Sequence, residues 1–237
     1  MSVGPSDDAG IEKLRGLLSG EETARVGRIR SEKNRREYMA AHILARLMLA
    51  RFGEATATDW RFAAGRHGRP EIEPALNGAG LRFNLSHASG MVACAVTIKD
   101  DIGVDVEWLE RPNRMRDKIA EKKFSAPEAA YLGGVAEQDR KDVFFSFWTL
   151  KESYIKAIGK GLIEPLDGFA FELDPLGISF LKDNGDAACW SFDLHSPSPE
   201  HLCALCLAHP VGEQPHITRR NLNWDELAQC HDDAILL

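Results

Sequence analysis

The chain has 237 residues, 44% of them hydrophobic and 27% charged, which excludes a mainly disordered chain and predicts a sizeable core. Lysine and arginine number 29 and aspartate and glutamate 36, so the formal net charge is −7. A general nucleic-acid coat needs a basic surplus, and we therefore expect no nucleic-acid partner.

The N-terminal part of the chain is predicted to be helical over 11–52, with a break near 19–20. Within it, residues 25–51 carry eight basic side chains, opposed only by Glu32 and Glu37. In an acidic protein this segment indicates either a solvated helix face or a surface for an anionic ligand or an acidic partner.

Three strands are predicted after a loop-rich segment at 53–80, which contains a charged turn at 65–70. The strands lie at 81–86, 91–98 and 102–108, where β-branched and apolar residues are bounded by turn residues. This part of the chain is therefore expected to be helix followed by strands.

The second half follows the same order of elements, without a repeat at the residue level. A basic segment at 111–123 precedes a helix start at Ser125, and a longer helix is predicted over 138–158, ended by Gly159. Short strands are predicted at 168–173, 178–182, 189–194 and 202–208, with a short helix at 224–230.

Two acidic residues share one face of the strand predicted at 102–108. Because side chains alternate in a strand, Asp105 and Glu107 point the same way, roughly 7 Å apart. Like charges this close repel, so this face is either solvated or holds a cation. Carboxylates are suitable ligands for Mg²⁺, which usually shares its other positions with phosphate and water.

A third acid, Glu152, lies within the apolar stripe of the helix predicted over 138–158. An unpaired buried carboxylate is costly, so Glu152 would need a cation, a metal ion or a proton. Lys156 follows one turn later, and the alternative is a surface ion pair of these two residues. Together with Asp105 and Glu107, Glu152 could hold a divalent ion. The ammonium group of Lys156 would then lie beside the ion, as phosphoryl transfer requires. The stripe consists of Phe144, Trp148, Ile155 and Ile158.

The compartment is indicated by what the sequence lacks. No apolar stretch approaches the ~20 residues that span a bilayer. The N-terminal residues have neither the basic start nor the apolar run of a signal peptide. The five cysteines are an odd number and predict no disulfide framework. We therefore expect a cytoplasmic protein without membrane association.

Three segments resemble, in order and spacing, the signature blocks of the 4′-phosphopantetheinyl transferases. The resemblance spans roughly residues 25–175. The chain length is similar to that of the monomeric surfactin-synthetase-activator type rather than the short trimeric holo-acyl-carrier-protein synthases. The blocks are Phe83-Asn84-Leu85-Ser86-His87, Ile102-Gly103-Val104-Asp105-Val106-Glu107, and the run from Phe147 to Gly161 that contains Trp148, Lys151, Glu152 and Lys156.

The resemblance implies a fold and a reaction. The fold would be of the α/β (α+β) class, with two similar halves related by a pseudo-twofold, at 1–108 and 109–212, followed by a tail at 213–237. Coenzyme A would bind in the cleft between the halves. The reaction would be the Mg²⁺-dependent transfer of the phosphopantetheine arm of coenzyme A to a serine of an apo acyl or peptidyl carrier protein. Adenosine 3′,5′-bisphosphate would be released, and a monomer is expected.

The resemblance also implies roles for individual residues. Asp105, Glu107 and Glu152 would be the Mg²⁺ ligands, and Glu152 would also be the base for the carrier serine. Lys156 would steady the pyrophosphate and assist the leaving group. The contacts to coenzyme A would be Lys33, His42, Arg69, Ser86, His87 and Lys156.

One position departs from the pattern of the family. Relatives often carry arginine where this chain has His42, and a neutral imidazole is a weaker partner for phosphate than a cation. Arg46 lies one turn later and could take its place. Acidic carrier proteins could meet the basic segments at 25–51 and 111–123.

Other interpretations stay open from the residues alone. The segment 201–209 contains a Cys-x-x-Cys unit between two histidines, but Cys203 and Cys206 would point to opposite faces of a strand, which disfavours a zinc site. Ser86 and His87 with Asp105 could suggest a hydrolase, but adjacent residues point apart on a strand and the nucleophile elbow motif is missing. A non-catalytic module that binds coenzyme A or a carrier protein, and another Mg²⁺-dependent phosphotransferase, are the remaining alternatives.

Overall fold

The computed structural model describes residues 1–65, 69–111, 116–161, 165–182 and 185–232. The helices are α1 (Asp8–Leu14), α2 (Gly20–Arg28), α3 (Glu32–Phe52), α4 (Arg116–Lys123), α5 (Ala126–Gly134), α6 (Arg140–Ile158) and α7 (Trp224–Asp232). The strands are β1 (Phe62–Ala64), β2 (Pro70–Ile72), β3 (Leu81–Ala88), β4 (Met91–Ile98), β5 (Ile102–Trp108), β6 (Phe169–Leu173), β7 (Leu176–Phe180), β8 (Trp190–Ser198) and β9 (His201–Ala208).

The chain divides into two compact units. Unit one combines Met1–Lys99 with Thr218–Leu237, and unit two is Asp100–Ile217. Each unit contains both helices and antiparallel strands, which confirms the predicted α/β (α+β) class. Among the described residues, no helix is both long and apolar enough to cross a membrane.

The compact units differ from the halves predicted from sequence, which ended at 108 and 212. Strand β5 belongs to unit two because it pairs with β9 along its whole length and packs on α6. Helix α7 belongs to unit one because it packs on α1 and α3. The halves at 1–108 and 109–212 and the tail at 213–237 remain a proposal about domain organisation.

Unit one is built around α3, a helix that packs on the hairpin formed by β3 and β4. Its start is set by Ser31, whose Oγ accepts a hydrogen bond from the Asn34 amide. The predicted break at 19–20 is confirmed, because Ser19 caps α2 and exchanges hydrogen bonds with Glu22. The second break, before Ser31, and the hairpin of β1 and β2 were not predicted.

Helix α7 completes the core of unit one. Trp224 and Leu227 are buried and belong to the same apolar cluster as Ile11 and Ile43. Trp224 lies directly against Gly10, where a Cβ atom would come within 2.6 Å of the tryptophan side chain. The polar segment that precedes α7 therefore leads to a helix that closes this core.

Unit two is built on an antiparallel sheet of order β5-β9-β8, against which α6 packs. Helix α6 ends where glycine was predicted to stop it, since Gly159 adopts the left-handed conformation (φ 68°). Hairpin β6–β7 contributes further apolar residues to the same core. The predicted strands at 168–208 are confirmed, with bounds shifted by a few residues.

A buried ion pair anchors α6 within unit two. Lys151 and Glu128 have fully buried side chains, with Nζ 2.8 Å from Oε2. The ammonium also donates to the carbonyls of Leu166 and Phe169. Glu128 accepts further hydrogen bonds from Ser125 and from the Phe171 amide. All three donors of the lysine are therefore used, and the pair fixes the position of α6.

Parts of two predicted segments lie outside the described residues. These parts are 66–68 of the charged turn and 112–115 of the basic segment. The other residues outside the described ranges are 162–164, 183–184 and 233–237. Residues 116–123 of the basic segment form α4, a helix that was not predicted from the sequence.

Gly103 allows α6 to approach β5 closely. A Cβ atom at this position would lie 2.0 Å from the Ser153 carbonyl oxygen and 2.4 Å from the Ala157 amide nitrogen. Both are backbone atoms, so no side-chain rotation could relieve the overlap. The face of β5 that carries Gly103 is therefore the face that α6 covers.

We expect Gly103→Ala to lower the free energy of unfolding by roughly 1–3 kcal/mol, because α6 must move away from β5. Denaturant unfolding measures this loss. Gly177→Ala is the matched control, since nothing lies within 4 Å of its added methyl group. Equal stability of the two variants would contradict the close packing.

Candidate active site

The acidic face of β5 lies under α6. Asp105 is only 5% exposed, so the alternative of a solvated strand face is wrong. Lys156 on α6 donates to Asp105 Oδ1 at 2.7 Å and to the Val104 carbonyl at 3.1 Å. Trp148, about two turns before Lys156 on α6, donates from Nε1 to Glu107 Oε1 at 2.8 Å. Helix α6 therefore holds both strand carboxylates in place.

Glu152 adds a third carboxylate to this cluster. Burial and the nearby charge of Asp105 raise the pKa of Glu152 to about 7, against the opposing effect of Lys156. Burial and Asp105 also raise the pKa of Glu107 above its usual value. The three predicted metal ligands are thus close enough to repel one another, with one ammonium beside them.

The chemistry of this donor set fits a divalent cation. Three carboxylates supply the hard oxygen ligands that Mg²⁺ prefers, and a cation would relieve their mutual repulsion. In the part of the chain that the structure describes, no three His, Cys, Asp or Glu side chains are arranged as a metal site. The magnesium site at Asp105, Glu107 and Glu152 therefore stays a prediction.

Two of the predicted coenzyme A contacts meet at the turn between β3 and β4. This turn consists of Ser89 and Gly90, both with positive φ (41° and 90°). Lys33 Nζ donates to Ser89 Oγ at 3.0 Å. His87 lies on the preceding strand and is half exposed. The turn thus brings an ammonium and an imidazole to one end of the hairpin.

Ser86 and Arg69 are placed differently. Ser86 is buried, because neighbouring residues of β3 alternate between the two faces of the hairpin. Arg69 donates from Nη2 to the Phe83 carbonyl at 2.9 Å, which links the start of β2 to β3. Their roles toward coenzyme A remain predictions.

His42 belongs to a second cluster. Its Nδ1 lies 2.7 Å from Glu22 Oε1, and Arg46 donates from Nε to the other oxygen of Glu22 at 2.9 Å. Burial favours a higher pKa for Glu22. The hydrogen bonds with His42 and the Ser19 amide, together with the charge of Arg46, outweigh burial and lower this pKa to about 2.

Arg46 is a core residue. It is 1% exposed and also donates to the Ala57 carbonyl. The suggestion that it replaces the family arginine as a phosphate contact is therefore wrong, because its guanidinium is already held inside unit one. The sequence around Arg46 gave no signal that this arginine would be buried against Glu22 and the Ala57 carbonyl.

The cysteines of β9 are core residues. Cys203 and Cys206 are both buried, on opposite faces of the strand as predicted. Burial raises the pKa of the Cys203 thiol to about 12 and that of Cys206 well above its usual value. Because they lie on opposite faces of β9, the two thiols cannot ligate one zinc ion together.

Comparison with known proteins identifies the family. Residues 101–206 match the family model of the 4′-phosphopantetheinyl transferase superfamily. The chain is 33% identical over 213 residues to a 4′-phosphopantetheinyl transferase of Bacillus subtilis, covering 85% of this chain and 92% of that protein.

Two further relatives show the same similarity. The 4′-phosphopantetheinyl transferase Sfp of Bacillus subtilis strain 168 is 30% identical over 200 residues, covering 84% of this chain and 86% of that protein. The 4′-phosphopantetheinyl transferase HetI of Nostoc sp. is 29% identical over 205 residues, covering 86% and 84%. Because identity of this level extends over most of both chains, this protein belongs to the 4′-phosphopantetheinyl transferase family and is an enzyme of that activity.

Proposed function

We propose that the enzyme moves the 4′-phosphopantetheine arm of coenzyme A onto a serine of an apo acyl or peptidyl carrier protein. The observation that supports this proposal most directly is the cluster of Asp105, Glu107, Glu152 and Lys156 beneath and along α6. It combines several carboxylates with an ammonium, as a reaction at a pyrophosphate requires.

The carrier serine must lose its proton to become a useful nucleophile. We assign Glu152 as the base that accepts this proton. The serine oxygen then attacks the β-phosphorus of coenzyme A, and the bond from this phosphorus to the bridging oxygen breaks. The electron pair leaves with adenosine 3′,5′-bisphosphate. Lys156, held by Asp105 and the Val104 carbonyl, faces the negative charge that develops on the leaving group.

Asp105, Glu107 and Glu152 are the residues that would hold Mg²⁺. When bound, the ion would neutralise pyrophosphate charge and orient the phosphates. Trp148 supports this role by fixing one oxygen of Glu107 with a hydrogen bond. From the sequence, Trp148 was predicted as a member of the apolar stripe and of the third signature block, without a polar partner. An indole N–H that needs an acceptor when it is partly buried was the signal for its second role.

We propose that basic side chains bind the phosphates of coenzyme A and attract the acidic carrier protein. Lys33 and His87 would contact phosphate oxygens of coenzyme A, together with His42, Arg69 and Ser86. The exposed basic residues of α2 and α4 would attract an acidic carrier protein and speed encounter. We propose that the working form is a cytoplasmic monomer.

Intact-mass analysis of an apo acyl carrier protein tests the reaction. The carrier is incubated with this protein, coenzyme A and Mg²⁺, with an EDTA control and a parallel peptidyl carrier protein. We expect a mass gain of one phosphopantetheine group that EDTA abolishes. Coenzyme A binding without any gain on either carrier would indicate a non-catalytic module, and undiminished transfer in EDTA would contradict the magnesium proposal.

We expect Lys33→Ala to raise the KM for coenzyme A about 10-fold, the effect of losing one charge-assisted hydrogen bond, with little change in kcat. Steady-state kinetics with varied coenzyme A separate the two constants. Arg15→Ala removes an exposed charge of unit one that pairs with Glu12 and serves as the control. A loss confined to kcat would contradict the binding role.

A further inference from the structure

Glu37 is a buried acid that none of the roles above uses. It lies on α3, one turn after Lys33, and its side chain is 5% exposed. Oε1 accepts a hydrogen bond from the Gly90 amide at 2.7 Å. Oε2 lies 3.3 Å from Nδ1 of His87. One carboxylate therefore contacts both the β3–β4 turn and the histidine of the first signature block.

The charge of Glu37 is maintained despite its burial. Burial favours the neutral acid, but the hydrogen bonds with His87 and the Gly90 amide outweigh it and hold the pKa of Glu37 below its usual value. The charges of His87 and Lys33 act in the same direction. An ionised carboxylate can only accept hydrogen bonds. His87 Nδ1 must therefore carry the proton that it shares with Glu37.

This hydrogen bond decides what His87 presents to a ligand. With Nδ1 directed at Glu37, the second ring nitrogen, Nε2, has no hydrogen-bond partner among the described residues. The side chain is 49% exposed, although Glu37 beneath it is buried. The ring is thus oriented at one edge by a carboxylate and accessible at the other edge.

We infer that Glu37 is a positioning residue for coenzyme A: it orients His87 by accepting a hydrogen bond from Nδ1 and holds the Ser89-Gly90 turn. The doubly protonated ring then donates its second N–H, at Nε2, to a phosphate oxygen. The inference rests on the proposed function, in which His87 contacts coenzyme A. Glu37 itself does not touch the ligand. Its negative charge would repel a phosphate, so its contribution comes through the geometry of His87 and the turn.

Calorimetric titration of coenzyme A into four proteins tests this inference. They are the unmodified protein, Glu37→Gln, His87→Ala and the double variant. Glutamine keeps the size of the side chain and can still accept from the Gly90 amide. We expect Glu37→Gln to weaken coenzyme A binding roughly tenfold, the effect of one charge-assisted hydrogen bond. We expect the double variant to bind no more weakly than His87→Ala.

The protons on the His87 ring provide a second readout that a merely structural residue would not change. ¹⁵N NMR of the unmodified protein with coenzyme A bound is expected to show protons on both Nδ1 and Nε2, and Glu37→Gln to lose the proton on Nδ1. Glu12→Gln removes an exposed carboxylate of the same unit and is expected to change neither the affinity nor the protons on the ring.

The outcomes distinguish the phosphate contact of His87 from the positioning role of Glu37. If His87→Ala weakens binding and Glu37→Gln weakens it further by the same factor in both backgrounds, the positioning role is overturned and the phosphate contact stands. A His87 Nδ1 without a proton in the unmodified protein with coenzyme A bound also overturns the positioning role, even if Glu37→Gln fails to fold. Unchanged affinity of His87→Ala overturns the assigned phosphate contact and the inference together.

Discussion

Glu152→Gln is expected to lower the rate of phosphopantetheine transfer by about 10²- to 10⁴-fold. The amide fills the same space as the carboxylate, but it cannot accept the proton of the carrier serine. It also removes one of three negative charges from the cluster with Asp105 and Glu107. Removing a partly buried charge that its neighbours repel does not weaken the fold, so we expect stability to be unchanged or slightly higher.

Single-turnover transfer followed by intact mass measures this effect. Thermal unfolding and coenzyme A titration, carried out on the same preparation, report on the fold and on binding. Glu137→Gln is the control, because it replaces an exposed glutamate of the same unit that pairs with Arg140 at the surface. Near-normal turnover of Glu152→Gln, with the control also active, would remove Glu152 from the mechanism.

Lys151→Met is expected to lower the free energy of unfolding by about 3–5 kcal/mol. The substitution leaves the fully buried Glu128 without its compensating charge. It also leaves the carbonyls of Leu166 and Phe169 without the ammonium that they share. Because Lys151 directly precedes Glu152, the loss of this anchor should also displace the active-site face of α6.

Chemical denaturation measures the loss, and α6 supplies its own control. Lys141 on the same helix pairs with Glu110 at the surface, and Lys141→Met is expected to cost less than about 1 kcal/mol. The double variant Lys151→Met with Glu128→Gln should recover part of the loss, since no unpaired charge then remains. Equal losses of unfolding free energy for Lys151→Met and Lys141→Met would show that burial of the Lys151–Glu128 pair is unimportant.

Much of unit two was predictable because local signals agreed with the packing. The alternation in β5 placed Asp105 and Glu107 on one face, and the pattern of α6 ended at Gly159, as observed. Helix α4 was not predicted, because its lysines and acids form no apolar stripe. Gly103 was a usable signal, since a glycine inside a strand often marks a close approach of another backbone.

The partners of the site residues were harder to predict than the residues themselves. Lys151 gives no local sign of burial, because its partner Glu128 lies on another helix, far away in sequence. Glu37 likewise gives no local sign of burial. In the sequence it is one of two acids within a basic segment, whereas in the structure it is buried against His87. Side-chain type and spacing can indicate a chemical group, but not the distant residue that orients it.

The position of α7 has a consequence for the order of folding during synthesis. Trp224 and Leu227 fill the core of unit one, yet they emerge from the ribosome only after the whole of unit two. Until then, the apolar surface around Ile11 and Ile43 lacks its cover and is open to chaperones or to aggregation. The nascent chain can therefore complete unit two before unit one, although unit one is begun first.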